Sequence, residues 1–138
     1  MKTILPSTKI YLSKSTIPNA GRGVFANQDI KAGQVIEICP VIEFPKKDLE
    51  HLRQTILRNY YFQWGKGNET VAACLGFGSL YNHSYEPNAT YMKHWENATI
   101  HFNAIKDIAK DEEITVNYNH GDPNDKSPLW IEDIPKSE

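Results

Sequence analysis

A polar segment lies between two apolar stretches of the chain: Tyr81-Asn82-His83-Ser84-Tyr85-Glu86-Pro87-Asn88. Asparagine, histidine and serine side chains can hydrogen-bond to backbone groups that would otherwise be buried without a partner. Such a segment is typical of a loop that is fixed by its own hydrogen bonds, but it is equally typical of a site that binds a ligand. Taken alone, the segment does not distinguish these two interpretations.

Two further motifs flank this segment, one early and one late in the chain. The early motif is Gly21-Arg22-Gly23, which begins a predicted strand and lets the backbone approach a ligand closely. It lacks the third glycine and the following helix of a dinucleotide-binding fingerprint, so that function is excluded. The late motif alternates apolar and polar residues and ends in a tyrosine: Glu112-Glu113-Ile114-Thr115-Val116-Asn117-Tyr118. A single tyrosine at such a place is usually a core residue.

Glycine, proline and asparagine residues divide the chain into short apolar runs, which favours a mostly β fold. The alternation of apolar residues predicts strands at residues 10–12, 23–26, 34–38, 99–104 and 114–118. One main helix is predicted from Pro45 to near Asn59, because Leu49, Leu52 and Ile56 fall on one helical face. The aromatic residues 60–64 should return to an extended form.

The length of 138 residues predicts one domain, with a core at about residues 8–120. The prolines that follow Gly121 predict an irregular C-terminal arm at residues 121–138, which is a candidate to cover a site. The net charge of −2 gives no broad basic surface, so direct binding to nucleic acid or to a membrane is not expected. Without a signal-like or membrane-spanning stretch, the predicted location is cytoplasmic.

Catalysis by a cysteine nucleophile and metal binding are both disfavoured. Cys74 lies in an apolar run, and no third group is evident that would orient a Cys74–His83 pair. Cys39 and Cys74 are therefore predicted to be reduced core thiols. No metal site is predicted, because the histidines lack metal-ligand spacing: His51, His83, His94, His101 and His120.

The three motifs occur in one order, G-x-G, then N-H-S-x-x-P-N, then E-E-I-T-V-N-Y, and together they resemble the SET-domain protein-lysine methyltransferases. The resemblance covers about residues 8–120, and the short chain is similar to the minimal stand-alone members found in bacteria and viruses. It implies a β-clip of short strands in which the second and third motifs form a C-terminal pseudoknot. It also implies transfer of a methyl group from S-adenosylmethionine to the ε-amine of a protein lysine.

The resemblance further implies roles for individual residues. The catalytic residue would be Tyr118. The residues implied to bind S-adenosylmethionine are Gly21, Arg22, Gly23, Asn82, His83 and Trp130. The residues implied to line the channel of the substrate lysine are Tyr81, Tyr91, Tyr118, His120 and Trp130.

Several expectations about partners follow from the same resemblance. The substrate would be a lysine-bearing protein or peptide, a homodimer is possible, and an effector or viral protein would work in a host nucleus. Two noncatalytic alternatives are a silent SET-like module that binds a peptide and a β-clip binding domain of another kind. The N-H-S-x-x-P-N string and the closing Tyr118 motif argue against both, because a binding module does not need them.

Overall fold

The computed structural model describes residues 2–129 of the chain. Within this range the backbone forms nine strands, one α-helix and five short 3-10 helices. The strands are β1 (Ile10–Lys14), β2 (Arg22–Ala26), β3 (Val35–Phe44), β4 (Phe62–Trp64), β5 (Thr70–Cys74), β6 (Asn82–His83), β7 (Ala89–His94), β8 (Thr99–Ala104) and β9 (Glu113–Val116). The α-helix is α1 (Leu49–Leu52), and the 3-10 helices are Lys46–Asp48, Ile56–Asn59, Lys66–Asn68, Gly78–Leu80 and Trp95–Asn97. The fold is therefore mostly β, as the sequence predicts.

One sheet brings the three sequence motifs side by side. Its strand order is β1-β2-β9-β6, so the late strand β9 lies between the early strand β2 and the strand of the polar segment. β9 pairs antiparallel with β2, matching Val24 with Ile114, and parallel with β6, matching Asn82 with Thr115. This insertion of a late strand between two earlier ones is the crossed arrangement that the resemblance implied.

The second sheet carries much of the core. Its strand order is β4-β5-β3-β8-β7, and all its neighbouring strands are antiparallel. Phe102 and Ile100 on β8 are fully buried, and the ring of Tyr81 stacks on Phe102 with the ring centroids 4.4 Å apart. The sheets share one apolar cluster that also includes Val24 and Ile114 of the first sheet, so β2 and β9 are fixed against the core.

The predicted helix is shorter than expected and broken. Only Leu49–Leu52 is α-helical, and 3-10 turns precede and follow it. Thr55 takes an extended backbone conformation, and its hydroxyl accepts a hydrogen bond from the Leu57 amide, so it ends one helical piece and caps the next. Leu49 and Leu52 are half-buried but Ile56 is 57% exposed, so the apolar face predicted for one long helix is not covered along its whole length.

The strand predictions hold for β1, β2, β3, β8 and β9, but β9 ends earlier than expected. It stops at Val116, and Tyr118 lies in the turn that follows. The Gly121 amide donates to the Asn117 carbonyl at 3.0 Å and closes this turn. The tyrosine therefore leaves the sheet and points toward the site described below.

The described part of the C-terminal arm, residues 121–129, contains no helix or strand. It is held by side chains from the motifs: Asn117 donates to the Asp125 carbonyl at 2.7 Å, and Tyr85 donates to the Ser127 carbonyl at 2.9 Å. Trp130 lies outside the described residues. Among residues 2–129, no helix is long and apolar enough to cross a bilayer.

Candidate active site

Tyr118 is held at two points. Its hydroxyl donates to the backbone carbonyl of Tyr81 at 2.7 Å, and its amide donates to Nδ1 of His83 at 3.0 Å. Burial raises the pKa of the Tyr118 phenol, and the neighbouring Tyr91, Tyr60 and Glu113 add to the increase. The phenol therefore stays protonated at physiological pH and can act as a fixed hydrogen-bond donor or dipole.

Asn82 links the polar segment to the glycine motif. Its side-chain amide donates to the Arg22 carbonyl at 2.8 Å and to Oε2 of Glu113 at 2.9 Å. Gly23 leaves room for this arrangement, because a Cβ at that position would collide with the Glu113 carboxylate and lie 3.1 Å from the Asn82 amide. Glu113 is anchored further by the hydroxyl of Ser15, at 2.8 and 2.9 Å. The three motifs thus meet through one buried amide and one carboxylate.

Asn88 attaches the polar segment to β9. Its side-chain amide donates to the Glu113 carbonyl at 2.9 Å and to the Glu112 carboxylate at 3.1 Å. Its side-chain carbonyl accepts the Thr115 amide at 2.9 Å. Since Asn88 is 8% exposed, these bonds satisfy backbone groups at a crossing where regular sheet pairing stops.

The two ring nitrogens of His83 differ in their partners. Nδ1 accepts the Tyr118 amide, so the proton of the neutral ring lies on Nε2, which is buried and has no hydrogen-bond partner among residues 2–129. Burial also lowers the pKa of His83. A ligand that brings a hydrogen-bond acceptor would satisfy this buried donor.

A cavity of about 60 Å³ opens beside Tyr118. Its walls are mainly aromatic, with contributions from Tyr60, Tyr61, Phe62, Tyr81, Tyr91 and Tyr118, and they also include Lys93 and His120. The Phe62 and Tyr91 rings meet edge to face with centroids 5.2 Å apart, which keeps this wall rigid. Aromatic faces attract alkylammonium groups, so the cavity suits a lysine side chain before and after methylation.

The residues predicted to form the lysine channel differ in how they lie at this cavity. Tyr91 is buried, while His120 is exposed and has a positive φ of 57° in the turn after Tyr118. The Tyr81 side chain turns into the core, where its hydroxyl donates to Oε1 of Glu37 at 2.9 Å. Its backbone carbonyl reaches the Tyr118 hydroxyl. Trp130 falls outside the described residues.

The residues predicted to bind the cofactor converge in the first sheet. Arg22 and Gly23 begin β2, and Asn82 and His83 form β6, with β9 between them. Gly21 precedes β2 with a positive φ of 72° and accepts the Ser15 amide at 2.8 Å. Residues 2–129 contain no group of three or more acidic, histidine or cysteine side chains that could hold a metal ion.

Two groups of residues at the site were not predicted from the sequence. The first is the aromatic run Tyr60, Tyr61 and Phe62, for which the sequence predicts only an extended segment and which lines the cavity. The second is Glu37, a buried carboxylate on β3. The signal for Glu37 was present, since it is the single acidic residue in the apolar run Val35-Ile36-Glu37-Ile38.

Comparisons with known proteins agree with this geometry. The SET domain family model matches residues 21–119. The H3 lysine-37 specific histone-lysine N-methyltransferase of Schizosaccharomyces pombe is 39% identical over 114 residues, which cover 82% of this chain and 71% of that protein.

Solved structures show the same fold. A Plasmodium falciparum protein described as a histone methyltransferase is 32% identical, with a TM-score of 0.60, over 85% of this chain and 96% of its own. The Polycomb repressive complex 2 of Chaetomium thermophilum, in an autoinhibited conformation bound to S-adenosylmethionine, matches 85% of this chain and 16% of its own. Its TM-score is 0.62 at 24% identity. This chain therefore belongs to the SET-domain family, the protein-lysine methyltransferases that use S-adenosylmethionine as methyl donor.

Proposed function

We propose that this methyltransferase acts on a lysine of a histone, with histone H3 as the first substrate to test, and that Tyr118 is its catalytic residue. The observation that carries the assignment of Tyr118 is its hydroxyl, held at 2.7 Å from the Tyr81 carbonyl at the edge of an aromatic cavity. The histone substrate is supported by the 39% identity to the Schizosaccharomyces pombe enzyme, which is specific for H3 lysine 37.

The division of the site into two sides supports this role. Arg22 and Gly23, together with Asn82 and His83, would hold S-adenosylmethionine on one side of Tyr118. When bound, it supplies a methyl group on a positively charged sulfonium. The aromatic cavity would receive the lysine from the other side. Two reactants held on either side of one hydroxyl meet the main requirement of a displacement reaction, which is alignment.

The electrostatics of the cavity favour the reactive form of the lysine. A lysine amine must lose its proton before it can attack a methyl carbon, and removal from water lowers its pKa. The neutral Tyr118 phenol and the Tyr81 carbonyl present oriented dipoles at this point without adding a net charge. The tyrosine rings then tolerate the methylammonium product through cation–π attraction.

A histone substrate also changes the proposed location. We expect the enzyme to work in a nucleus, its own or that of a host, and not in the cytoplasm that the sequence predicted. Fluorescence microscopy of the tagged full chain in a eukaryotic cell tests this, and a purely cytoplasmic signal would contradict a nuclear role.

The test of the proposal is methyl transfer from labelled S-adenosylmethionine to recombinant histones, followed by mass spectrometry of the labelled lysine. Tyr118→Phe should lower kcat by about 100-fold or more, because it removes an oriented dipole at the reacting centre. Calorimetry should show S-adenosylmethionine affinity within a few-fold of wild type. Tyr11→Phe is the matched control, since Tyr11 donates to Asp111 at 2.8 Å on the far strand β1 and should keep wild-type turnover. Wild-type turnover in Tyr118→Phe would overturn the catalytic assignment.

A further inference from the structure

Glu37 is a carboxylate in the core of the protein. It lies on β3 and is 8% exposed, and it forms no ion pair within residues 2–129. Its oxygens instead accept hydrogen bonds: Oε1 accepts the Tyr81 hydroxyl at 2.9 Å, and Oε2 accepts the Phe77 amide at 3.0 Å. The thiol of Cys39 also lies close to this carboxylate. Burying a carboxylate is costly even when it is hydrogen-bonded, so a hydrophobic residue would serve the core better if packing were the only requirement.

The surrounding fold leaves space for this carboxylate. Gly76 has a positive φ of 63°, and a Cβ at that position would collide with Oε2 of Glu37. Because Gly76 has no side chain, the Glu37 oxygen can occupy the space that a Cβ would otherwise fill. This close approach lets the carboxylate reach the backbone at Phe77 directly.

The two residues that donate to Glu37, Phe77 and Tyr81, lie at opposite ends of the 3-10 turn Gly78–Leu80. Phe77 immediately precedes the 3-10 turn Gly78–Leu80, and Tyr81 immediately follows it. Packing also fixes the orientation of the Tyr81 ring, because one face of this ring stacks on the Phe102 ring at an interplanar angle of 19°. Since both the ring and the hydroxyl of Tyr81 are held, its backbone has little freedom to rotate.

The backbone of Tyr81 is also what positions Tyr118. Its carbonyl accepts the Tyr118 hydroxyl at 2.7 Å. A continuous chain of contacts thus runs from Glu37 through the phenol of Tyr81 to its carbonyl, and from there to the Tyr118 hydroxyl.

We propose that Glu37 and the Tyr81 hydroxyl are positioning groups for methyl transfer: Glu37 clamps both ends of the turn Gly78–Leu80, and this fixes the carbonyl that orients Tyr118. The proposal rests on the proposed function, in which Tyr118 is catalytic. Neither Glu37 nor the Tyr81 hydroxyl touches a reactant, and both act through the Tyr81 backbone.

Two substitutions remove hydrogen bonds of the clamp, meaning the Glu37 carboxylate with its bonds to the Tyr81 hydroxyl and the Phe77 amide, while keeping the packing around it. Tyr81→Phe keeps the ring, its stacking and its carbonyl, and removes only the hydroxyl. Glu37→Gln keeps the volume but replaces one of the two acceptor oxygens with an NH2 group, which cannot accept, so the hydrogen bonds from Tyr81 and Phe77 can no longer both form as they do with Glu37. We expect each variant to lower kcat by about tenfold, since small displacements at a reacting centre have effects of this order. The KM for the histone and the calorimetric Kd for S-adenosylmethionine should stay within about twofold, because the clamp contacts neither ligand.

Ile108→Val is the matched control for lost stability. Ile108 is 1% exposed and belongs to the same apolar cluster, and its backbone pairs with Ile30. It should lower the Tm without changing kcat. If Tyr81→Phe and Ile108→Val give the same small loss of Tm and both keep wild-type kcat, Glu37 has only a structural role.

A double-mutant cycle with Tyr118→Phe, measured in single turnover with labelled methyl groups, tests the route of the effect. If the clamp acts through Tyr118, then Tyr81→Phe should cause no further loss in the Tyr118→Phe background. A full additional tenfold loss there would overturn the proposal. Wild-type kcat in Tyr118→Phe itself would instead remove the proposed function. If Glu37→Gln does not fold, Tyr81→Phe alone decides the outcome.

Discussion

The side-chain amide of Asn82 donates a hydrogen bond of 2.8 Å to the backbone carbonyl of Arg22, sixty residues earlier in the chain. The same amide reaches the carboxylate of Glu113, which lies on the strand inserted between them. One asparagine thus joins three distant segments, and under the proposed function it also borders the site of the methyl donor. Stability and cofactor binding are therefore expected to decrease together when this residue is changed.

Asn82→Ala should lower the free energy of unfolding by about 1–3 kcal/mol, because the Arg22 carbonyl and the Glu113 carboxylate both lose a part-buried hydrogen bond. Urea denaturation measures this loss, and calorimetry should show weaker binding of S-adenosylmethionine. Asn27→Ala is the control, since Asn27 is exposed and makes one longer bond of 3.3 Å to the Thr8 carbonyl. Equal unfolding curves for the two variants would argue against the role of Asn82 as a link.

Gly23→Ala should destabilise the protein more than Gly33→Ala. The added methyl group at position 23 would collide with the Glu113 carboxylate, which is already bound by Asn82 and Ser15 and cannot move freely. Gly33 has a positive φ of 89° but nothing within 4 Å of an added Cβ, so its variant measures backbone strain alone. Differential scanning calorimetry compares the two Tm values. A larger loss of Tm at position 33 would show that the space at Gly23 is not needed.

Stability should decrease as the pH falls below about 6.5, the ordinary pKa of histidine. Burial lowers the pKa of His83, and its Nδ1 must stay unprotonated to accept the Tyr118 amide. The unfolded chain therefore takes up a proton near pH 6.5 while the native chain does not, so the unfolded state binds more protons and gains stability relative to the native state. The loss should level off below the lowered native pKa.

Urea denaturation between pH 8 and pH 5 checks this dependence, with His83→Asn as the variant, because an asparagine oxygen can still accept the Tyr118 amide. The slope of stability against pH should decrease in the variant. A remaining slope is expected from His101, whose pKa is lowered by burial and by the neighbouring His94. An unchanged slope would show that His83 does not titrate differently in the two states.

The two cysteines should resist alkylation in the native protein. Cys39 and Cys74 are free and buried, and the neighbouring Cys74 thiol, together with burial, raises the pKa of the Cys39 thiol. Since the thiolate is the reactive form, iodoacetamide at pH 8 should leave the folded chain unmodified and label both cysteines in urea. Mass spectrometry counts the labels, and rapid labelling without urea would contradict the burial of this pair.

Local pattern was enough to predict the motifs and strands β1, β2, β3, β8 and β9, but it did not predict β5, β6 or β7. Alternation of apolar residues located β8 and β9, because side chains on a strand point alternately to its two faces. The same kind of reasoning failed at the predicted helix, where Leu49, Leu52 and Ile56 have the right spacing but Thr55 caps a new turn between them. A periodic pattern reports which face is apolar, and it does not report whether anything covers that face.

The sequence by itself determined that three motifs follow one another in a fixed order. This order indicated the family, its methyl donor and Tyr118 as the candidate catalytic residue. Only the tertiary structure decided which groups hold Tyr118: the Tyr81 carbonyl, the His83 ring and, behind them, the Glu37 carboxylate. The physical reason is distance along the chain. The parallel pairing of β6 with β9 and the bonds made by Asn82 join residues separated by 31 to 60 positions, and no local periodicity encodes which distant partner a buried polar group will meet.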